Sequence, residues 1–335
     1  MKIAQYLKGK LEGADDPNTL SVRQFGGGAA NLTYLLKYQN HEYVLRRPPL
    51  GPVAKSSHDM GREYKVLSTL YQAFSKAPRA FVFEETGDLI GSQFFVMERR
   101  NGIVIRRKIP EQLEVNDETG VKISEALIDT LVDFHKVEYD KLGLSDLGHP
   151  NGFVERQIEG WYKRWIAAKL SDNEQMDQVY NWLKNNVPDV GSRFSLVHND
   201  YKLDNVLLNP NDLSEITAVF DWDMCTLGDP LCDLGALLAY WNEPSDPPYF
   251  QGLATMPTKG ITFMSREDLV KRYAMKSGKK LSDINFYHCL GLFRVVVIVA
   301  QIYYRYAKGQ TQDKRFEAFG PVIPGIIQAA YSLIK

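Results

Sequence analysis

The run His198-Asn199-Asp200-Tyr201-Lys202-Leu203-Asp204-Asn205 places a carboxylate, an ammonium and a carboxamide within a short stretch, and Asp221-Trp222-Asp223 follows after a strand-like segment. These residue types suit phosphoryl transfer. That reaction is mostly positioning and charge neutralisation, with a carboxylate beside the acceptor hydroxyl and oxygen ligands for magnesium. Asp200 is the candidate base. Asn205 can turn its amide oxygen toward a metal, and Asp221 arrives from the next hairpin as a second metal ligand. Lys202 would offset the negative charge that develops on the transferred group. His198 reads as a residue that orients the loop. Asp223 fits two roles equally, a second metal or the backbone groups of its own turn.

Such a loop needs nucleotide-holding elements before it, and the chain supplies them in order. Leu20 to Phe25 reads as a strand, Gly26 to Asn31 as a loop, and Leu32 to Tyr38 as a returning strand. Gly26, Gly27, Gly28 and Asn31 are candidate phosphate-covering residues. Their pattern is G-x-G-x-x-N rather than G-x-G-x-x-G, so a plain tight hairpin reads equally well. Tyr43 to Arg47 forms a third strand, which puts Arg46 where the kinase V-A-I-K pattern has its phosphate-binding lysine. Ser56 to Leu70 is expected to be a helix with Met60, Leu67 and Leu70 on a buried face. Glu63 on that helix is the candidate partner of Arg46, the alternative being a surface pair with Arg62 or Lys65. The apolar strand Phe94 to Glu98 leads into Arg99-Arg100-Asn101-Gly102, which resembles the hinge of a kinase. Adenine would meet backbone groups near Glu98 and Arg100, beside Met97.

His198, Asp200 and Asn205 keep the offsets of the kinase loop H-R-D-L-x-x-x-N. Asp221, however, is followed by Trp222-Asp223 where protein kinases have Phe-Gly. With Val219 to Asp223, then Gly228-Asp229-Pro230 and Asp233-Leu234, the chain resembles the aminoglycoside phosphotransferase-like family of small-molecule kinases over Leu20 to Trp241. The resemblance implies an α+β, bilobal protein-kinase-like fold. Residues 1–98 would form a nucleotide-binding lobe of antiparallel sheet plus helix, and residues 99–335 a larger, mainly helical catalytic lobe, with a hinge at about 97–102. It also implies ATP and Mg2+ as cofactors, bound between the lobes. Leu131 to His135, Gly143-Leu144, Gly152-Phe153, Arg156-Gln157 and Trp161 to Trp165 resemble the branch found fused to, or encoded with, acyl-CoA dehydrogenases. In that branch the implied acceptor is a hydroxyacyl-CoA or a related hydroxylated metabolite, and a dehydrogenase partner would here be a separate protein. An aminoglycoside, choline-like or sugar kinase is the nearest competing reading, and a non-catalytic nucleotide-binding regulator is the other.

Composition narrows the field further. A chain of 335 residues with 44% hydrophobic content can bury a substantial core, and a net charge of −1 gives no field suited to nucleic acid. Basic clusters do occur at Arg99-Arg100, Arg106-Arg107-Lys108 and Arg305 to Arg315. They read either as solvated faces or as contacts to an anionic substrate. The apolar run Phe286 to Tyr304 is interrupted by Arg294, which favours a buried helix over a membrane span. Cys225, Cys232 and Cys289 show neither metal spacing nor a disulfide framework, and the N-terminus lacks a signal-peptide pattern, so a cytoplasmic location is expected. Trp161 and Trp165, four apart on a helix, read as core or as the aromatic lining of an acceptor pocket. His135 reads as a packed or capping residue, Asp229 as a cap and Asp233 as a loop anchor.

Overall fold

A computed structural model describes residues 2–26, 31–49, 59–111, 113–189, 191, 194–253 and 255–335. The chain divides into two compact units that a single cut does not separate. The first comprises Met1–Gly102, Glu138–Leu147 and Thr217–Cys225, the second Ile103–Val137, Gly148–Ile216 and Thr226–Lys335.

In the first unit a short helix α1 (Lys2–Leu7) precedes strands β1 (Leu20–Gln24), β2 (Leu32–Tyr38) and β3 (His41–Arg47). Helix α2 (Met60–Leu67) then leads to β4 (Ala80–Glu84) and β5 (Phe94–Glu98). The strands form one antiparallel sheet in the order β1-β2-β3-β5-β4. One of its faces buries Leu20, Leu36, Tyr38, Leu45, Val82, Phe94 and Val96 against Ala4 and Leu7 of α1. Burial of this kind stabilises by roughly 25 cal/mol per Å² of apolar surface removed from water. Thr217–Cys225 joins this unit through hydrogen bonds: Val219 N donates to Lys76 O at 2.8 Å, and Thr217 Oγ1 to Asn101 O at 3.1 Å.

The expected strand β3 is longer than its apolar run, because His41 and Glu42 pair with Tyr38 and Lys37. Helix α2 is shorter than its apolar spacing. Asp59 caps it by accepting from Arg62 N at 2.9 Å, and Ser68 Oγ turns back onto Lys65 O at 3.0 Å, which favours ending the helix there. A 3-10 turn, Leu70–Gln72, carries on beyond it. Residues 27–30 and 56–58 of the expected glycine loop and helix start lie outside the described residues.

The second unit is mainly helical: α3 (Thr119–His135), α4 (Phe153–Ala168) and α5 (Glu174–Asn185) come before its short strands. β6 (Ser195–Val197) pairs with β9 (Thr226–Gly228), and β7 (Val206–Asn209) with β8 (Asp212–Val219), whose last three residues belong to the first unit. Helices α6 (Leu231–Tyr240), α7 (Pro248–Leu253), α8 (Arg266–Ser277), α9 (Ile284–Ala307) and α10 (Ile323–Ser332) follow. The β-branched run Val295 to Val299 lies inside α9, where burial against neighbouring helices overrides its strand preference. Among the described residues α9 alone is long and apolar enough to cross a membrane. Its apolar positions are mostly buried by packing against α4, α5, α6 and α10.

The approach of α6 to α9 depends on two glycines. A Cβ at Gly235 would lie 2.2 Å from Tyr287 O, and one at Gly291 would lie 2.3 Å from Gly235 O. Neither obstacle is a flexible side chain. Gly235→Val is therefore expected to force the helices apart and cost about 1–3 kcal/mol or more. A melting temperature equal to wild type in a thermal scan would contradict this packing.

Candidate active site

The loop after β6 is held by a carboxylate that lies beyond it in sequence. Asp233, fully buried in the first turn of α6, accepts from His198 N at 2.6 Å and Asn199 N at 2.7 Å. His135 Nε2 lies 3.2 Å from the same carboxylate, and its Nδ1 is 2.8 Å from the Tyr273 hydroxyl. Burial alone would raise the Asp233 carboxyl. The His135 hydrogen bond and charge, with the His198 charge and backbone N–H, overcome that and hold it below the ordinary carboxylate range. So constrained, Asn199 takes a left-handed conformation, φ 64°, uncommon for a residue other than glycine.

This geometry presents Asp200 among donors. Lys202 Nζ lies 2.9 and 2.7 Å from its two carboxylate oxygens, and Asn205 Nδ2 donates to Asp200 Oδ2 and to Asp200 O, both at 2.8 Å. With its nitrogen engaged, Asn205 has Oδ1 as the atom able to ligate a cation. His198 Nδ1 accepts from Asp200 N at 3.2 Å, a bond that orients the loop. Burial pulls the Lys202 ammonium down, but Asp200, Tyr240 and Asp204 raise it and hold it well above its ordinary range, as a permanent cation. Asp200, Lys202 and Asn205 are thus one hydrogen-bonded group.

In the first unit Arg46 and Glu63 come together as β3 passes α2, with Arg46 Nη1 3.0 Å from Glu63 Oε1. Arg46 Nη2 also donates to Asp221 Oδ1. The surface alternative for Glu63 is absent. Arg62 donates instead to Cys225 O at 2.9 Å and Leu147 O at 2.6 Å, while Lys65 pairs with Asp146 at 2.5 Å. Asp221 has φ 69°, and the next residue, Trp222, anchors the segment with its buried indole donating to Val219 O at 2.8 Å. Trp222 also packs edge-on to Phe74, filling the place that Phe has in the protein-kinase pattern.

Among the described residues, three carboxylates, Glu63, Asp221 and Asp223, act on the one Arg46 guanidinium. Burial works against the charge of Arg46, but Glu63 and Asp221 outweigh it and hold the guanidinium firmly protonated. Glu63 lies deepest, so burial dominates there. Arg46 opposes it, yet Asp221 and Asp223 add repulsion, and the carboxyl is pushed up to about 8. An excess of negative charge beside an Asp221 side chain that is 37% exposed suits a divalent cation. Among the described residues no three His, Cys, Asp or Glu side chains converge as a metal cage. Magnesium takes one or two carboxylates and fills its other positions with water and phosphate oxygens.

The remaining sequence candidates are placed as follows. Asn31 is buried at the start of β2, and Gly26 is exposed with open space around it. Gly27 and Gly28 lie outside the described residues. Met97 is buried in β5 opposite Val44 and Ala80. Glu98 and Arg100 form an ion pair at 3.0 Å. Glu98 N already donates to Arg79 O at 2.8 Å, so that donor is committed to the protein itself.

Two further features escaped the sequence reading. Tyr240, at the end of α6, has Lys202 Nζ 5.1 Å from its ring centroid. Trp161, a sequence candidate for core or pocket lining, also carries two guanidinium contacts, from Arg164 and Arg294. Arg164 shares helix α4 with Trp161 at (i, i+3) spacing, a signal available in the sequence. Arg294 comes from α9, more than a hundred residues away, and no local pattern announces it.

Residues 21–264 match the phosphotransferase enzyme family. The chain is 30% identical over 315 residues to acyl-CoA dehydrogenase family member 11 of Rattus norvegicus, covering 93% of this chain and 40% of that protein. The human protein of the same name is 28% identical over 99% of this chain. The chain therefore spans about 40% of the length of these curated relatives. Among solved structures, a protein of Ralstonia eutropha described as an aminoglycoside phosphotransferase superposes with a TM-score of 0.84 and 26% identity, over 99% of this chain and 97% of its own. A ternary complex of aminoglycoside phosphotransferase APH(4)-Ia with AMP-PNP and hygromycin B has a TM-score of 0.62 at 16% identity, over 99% of both chains.

The elevated Glu63 carboxyl links stability to pH. Its folded value, about 8, lies above its unfolded value, so between the two the unfolded state has lost a proton that the folded state retains. Stability should then fall as pH rises from about 5 through about 8. Glu63→Gln, which mimics the protonated form, should remove this part of the decline. Denaturant midpoints measured across that range check it, and parallel pH profiles for the two proteins would contradict it.

Proposed function

We propose that this chain, which belongs to the phosphotransferase enzyme family, is a phosphotransferase with an alcohol group as acceptor and moves the terminal phosphoryl group of ATP, with magnesium, to a hydroxyl of a small metabolite. The observation that carries this reading is the Asp200 carboxylate, bracketed by Lys202 and Asn205 on a loop pinned by Asp233.

Bound ATP-magnesium would supply the phosphoryl group and the divalent charge that neutralises it. Asp200 accepts the proton of the acceptor hydroxyl as that oxygen attacks. Lys202, kept charged by Asp200, lends positive charge to the transferred group. Asn205 and Asp221 would be the residues that hold magnesium, and Arg46, positioned by Glu63, would offer its guanidinium to phosphate oxygens. Solved structures of this fold hold AMP-PNP or ADP at 16–17% identity, and ATP is the donor in the reading proposed here.

For the acceptor we favour a hydroxyacyl-CoA or a related hydroxylated metabolite. Support comes from the curated relatives, which are acyl-CoA dehydrogenase family members matched over nearly the whole of this chain. The aminoglycoside-bound and ethanolamine kinase structures are 13–17% identical and support the fold alone.

Magnesium-dependent ATP consumption against hydroxyacyl-CoAs, aminoglycosides and simple alcohols is the direct test. Asp200→Ala should lower kcat about 10²–10⁴-fold with little change in nucleotide binding. Wild-type protein that neither turns over any acceptor nor binds nucleotide would overturn the assignment.

A further inference from the structure

Lys202 leads to a second charged group that the phosphotransfer machinery leaves unused, and all of it belongs to the second unit. Lys202 Nζ sits 5.1 Å from the centre of the Tyr240 ring. The Tyr240 hydroxyl in turn lies within electrostatic reach of Arg294 as well as of Asp200, Lys202 and Asp204. Arg294 is only 8% exposed, yet its guanidinium carbon is 5.2 Å from the centroid of Trp161. Arg164 reaches the same indole at 4.6 Å. Trp161 is itself fixed, its Nε1 donating to Gln157 Oε1 at 3.2 Å.

Among the described residues, the carboxylates that act on Tyr240 are Asp200 and Asp204, and Asp200 is bonded to Lys202. Arg106 also acts on Asp204, and Arg164 and Arg294 add two more cations. Among the described residues no carboxylate pairs with Arg164. Burial, and then the charge of Arg294, press its guanidinium below the ordinary range, as expected for two cations brought together. Trp161 offsets part of that cost through its electron-rich face. An anion relieves the rest, since guanidinium groups present planar donor pairs that match carboxylate and phosphate oxygens.

We propose that Arg164 and Arg294, stacked on Trp161, form an anion subsite that anchors a carboxylate or phosphate of the acceptor whose hydroxyl is presented to Asp200. The proposal rests on the phosphotransferase reading of Asp200 and narrows it to anionic acceptors. A polycationic acceptor would instead require carboxylates here.

The test compares a free hydroxy acid, its neutral methyl ester, the matching hydroxyacyl-CoA and ethanolamine. Arg164→Gln alters an exposed residue and should raise KM for the anionic acceptor about 10-fold, leaving kcat and the methyl-ester KM nearly unchanged. Arg294→Gln should do the same, with Arg294→Lys recovering part of the loss. A KM increase confined to the hydroxy acid identifies a carboxylate anchor, and one confined to the CoA thioester a phosphate anchor. Preference for the ester or ethanolamine by wild type, or an unchanged ratio of anionic to neutral acceptor in Arg164→Gln, overturns the subsite. Calorimetric binding of the hydroxy acid and the CoA thioester to Asp200→Asn, with and without Arg164→Gln, separates the two readings. Arg164-dependent binding with no transfer by wild type to any acceptor would sink phosphotransfer and keep the subsite. Transfer without that dependence would do the opposite.

Discussion

A buried carboxylate that receives two consecutive backbone N–H groups can hold a loop in a conformation the loop would not choose alone, and Asp233 does this for His198 and Asn199. A buried anion without such partners would cost several kcal/mol. Here two amide donors and His135 satisfy it, and the loop is fixed as a consequence. The left-handed Asn199 directs Asp200 toward Lys202 and Asn205. Because Asp233 sits on α6, whose glycine face is locked to α9, the position of the candidate base is tied to a closely packed helix pair. Helix packing is rigid, and so is what hangs from it.

The first unit meets a different demand. Arg46 stands where the protein-kinase pattern has lysine, and a guanidinium differs from an ammonium in offering several donors at once. It uses them on Glu63 and Asp221 together. The carboxylates around Arg46 repel one another, which favours a proton on Glu63, or a cation near the more exposed Asp221. Proton and metal are thus competing answers to one repulsion.

Much of this was legible in the sequence. The strands β2 and β5 were readable to the residue, because apolar runs with β-branched and aromatic side chains were bounded by polar turns. The group Asp200, Lys202 and Asn205 was readable because its chemistry is compressed into one short loop. Glu63 was readable only through the order of elements, since an isolated glutamate on a helix carries no signal of its own. Other features were beyond reach for a physical reason: they depend on contacts between residues distant in the chain. Arg294 meeting Trp161 is one, and the return of Thr217–Cys225 to the first unit through Lys76 and Asn101 is another. Ser68 ending α2 was visible as a residue but not as a stop, because its choice between solvent and Lys65 O is settled by the fold.

The same limit explains why family resemblance settles the reaction before it settles the acceptor. Phosphoryl transfer makes identical demands whatever hydroxyl is used, so Asp200, Asn205 and Asp221 can sit in fixed short patterns. Acceptor recognition makes no such demand. On the subsite proposed above it would be assembled from α4 and α6, both packed against α9, an arrangement set by tertiary packing rather than by spacing along any one helix. A phosphotransferase can therefore change the sign of its acceptor pocket while its catalytic loop stays constant, and under the proposed subsite the charge around Trp161 would report the substrate better than the loop does.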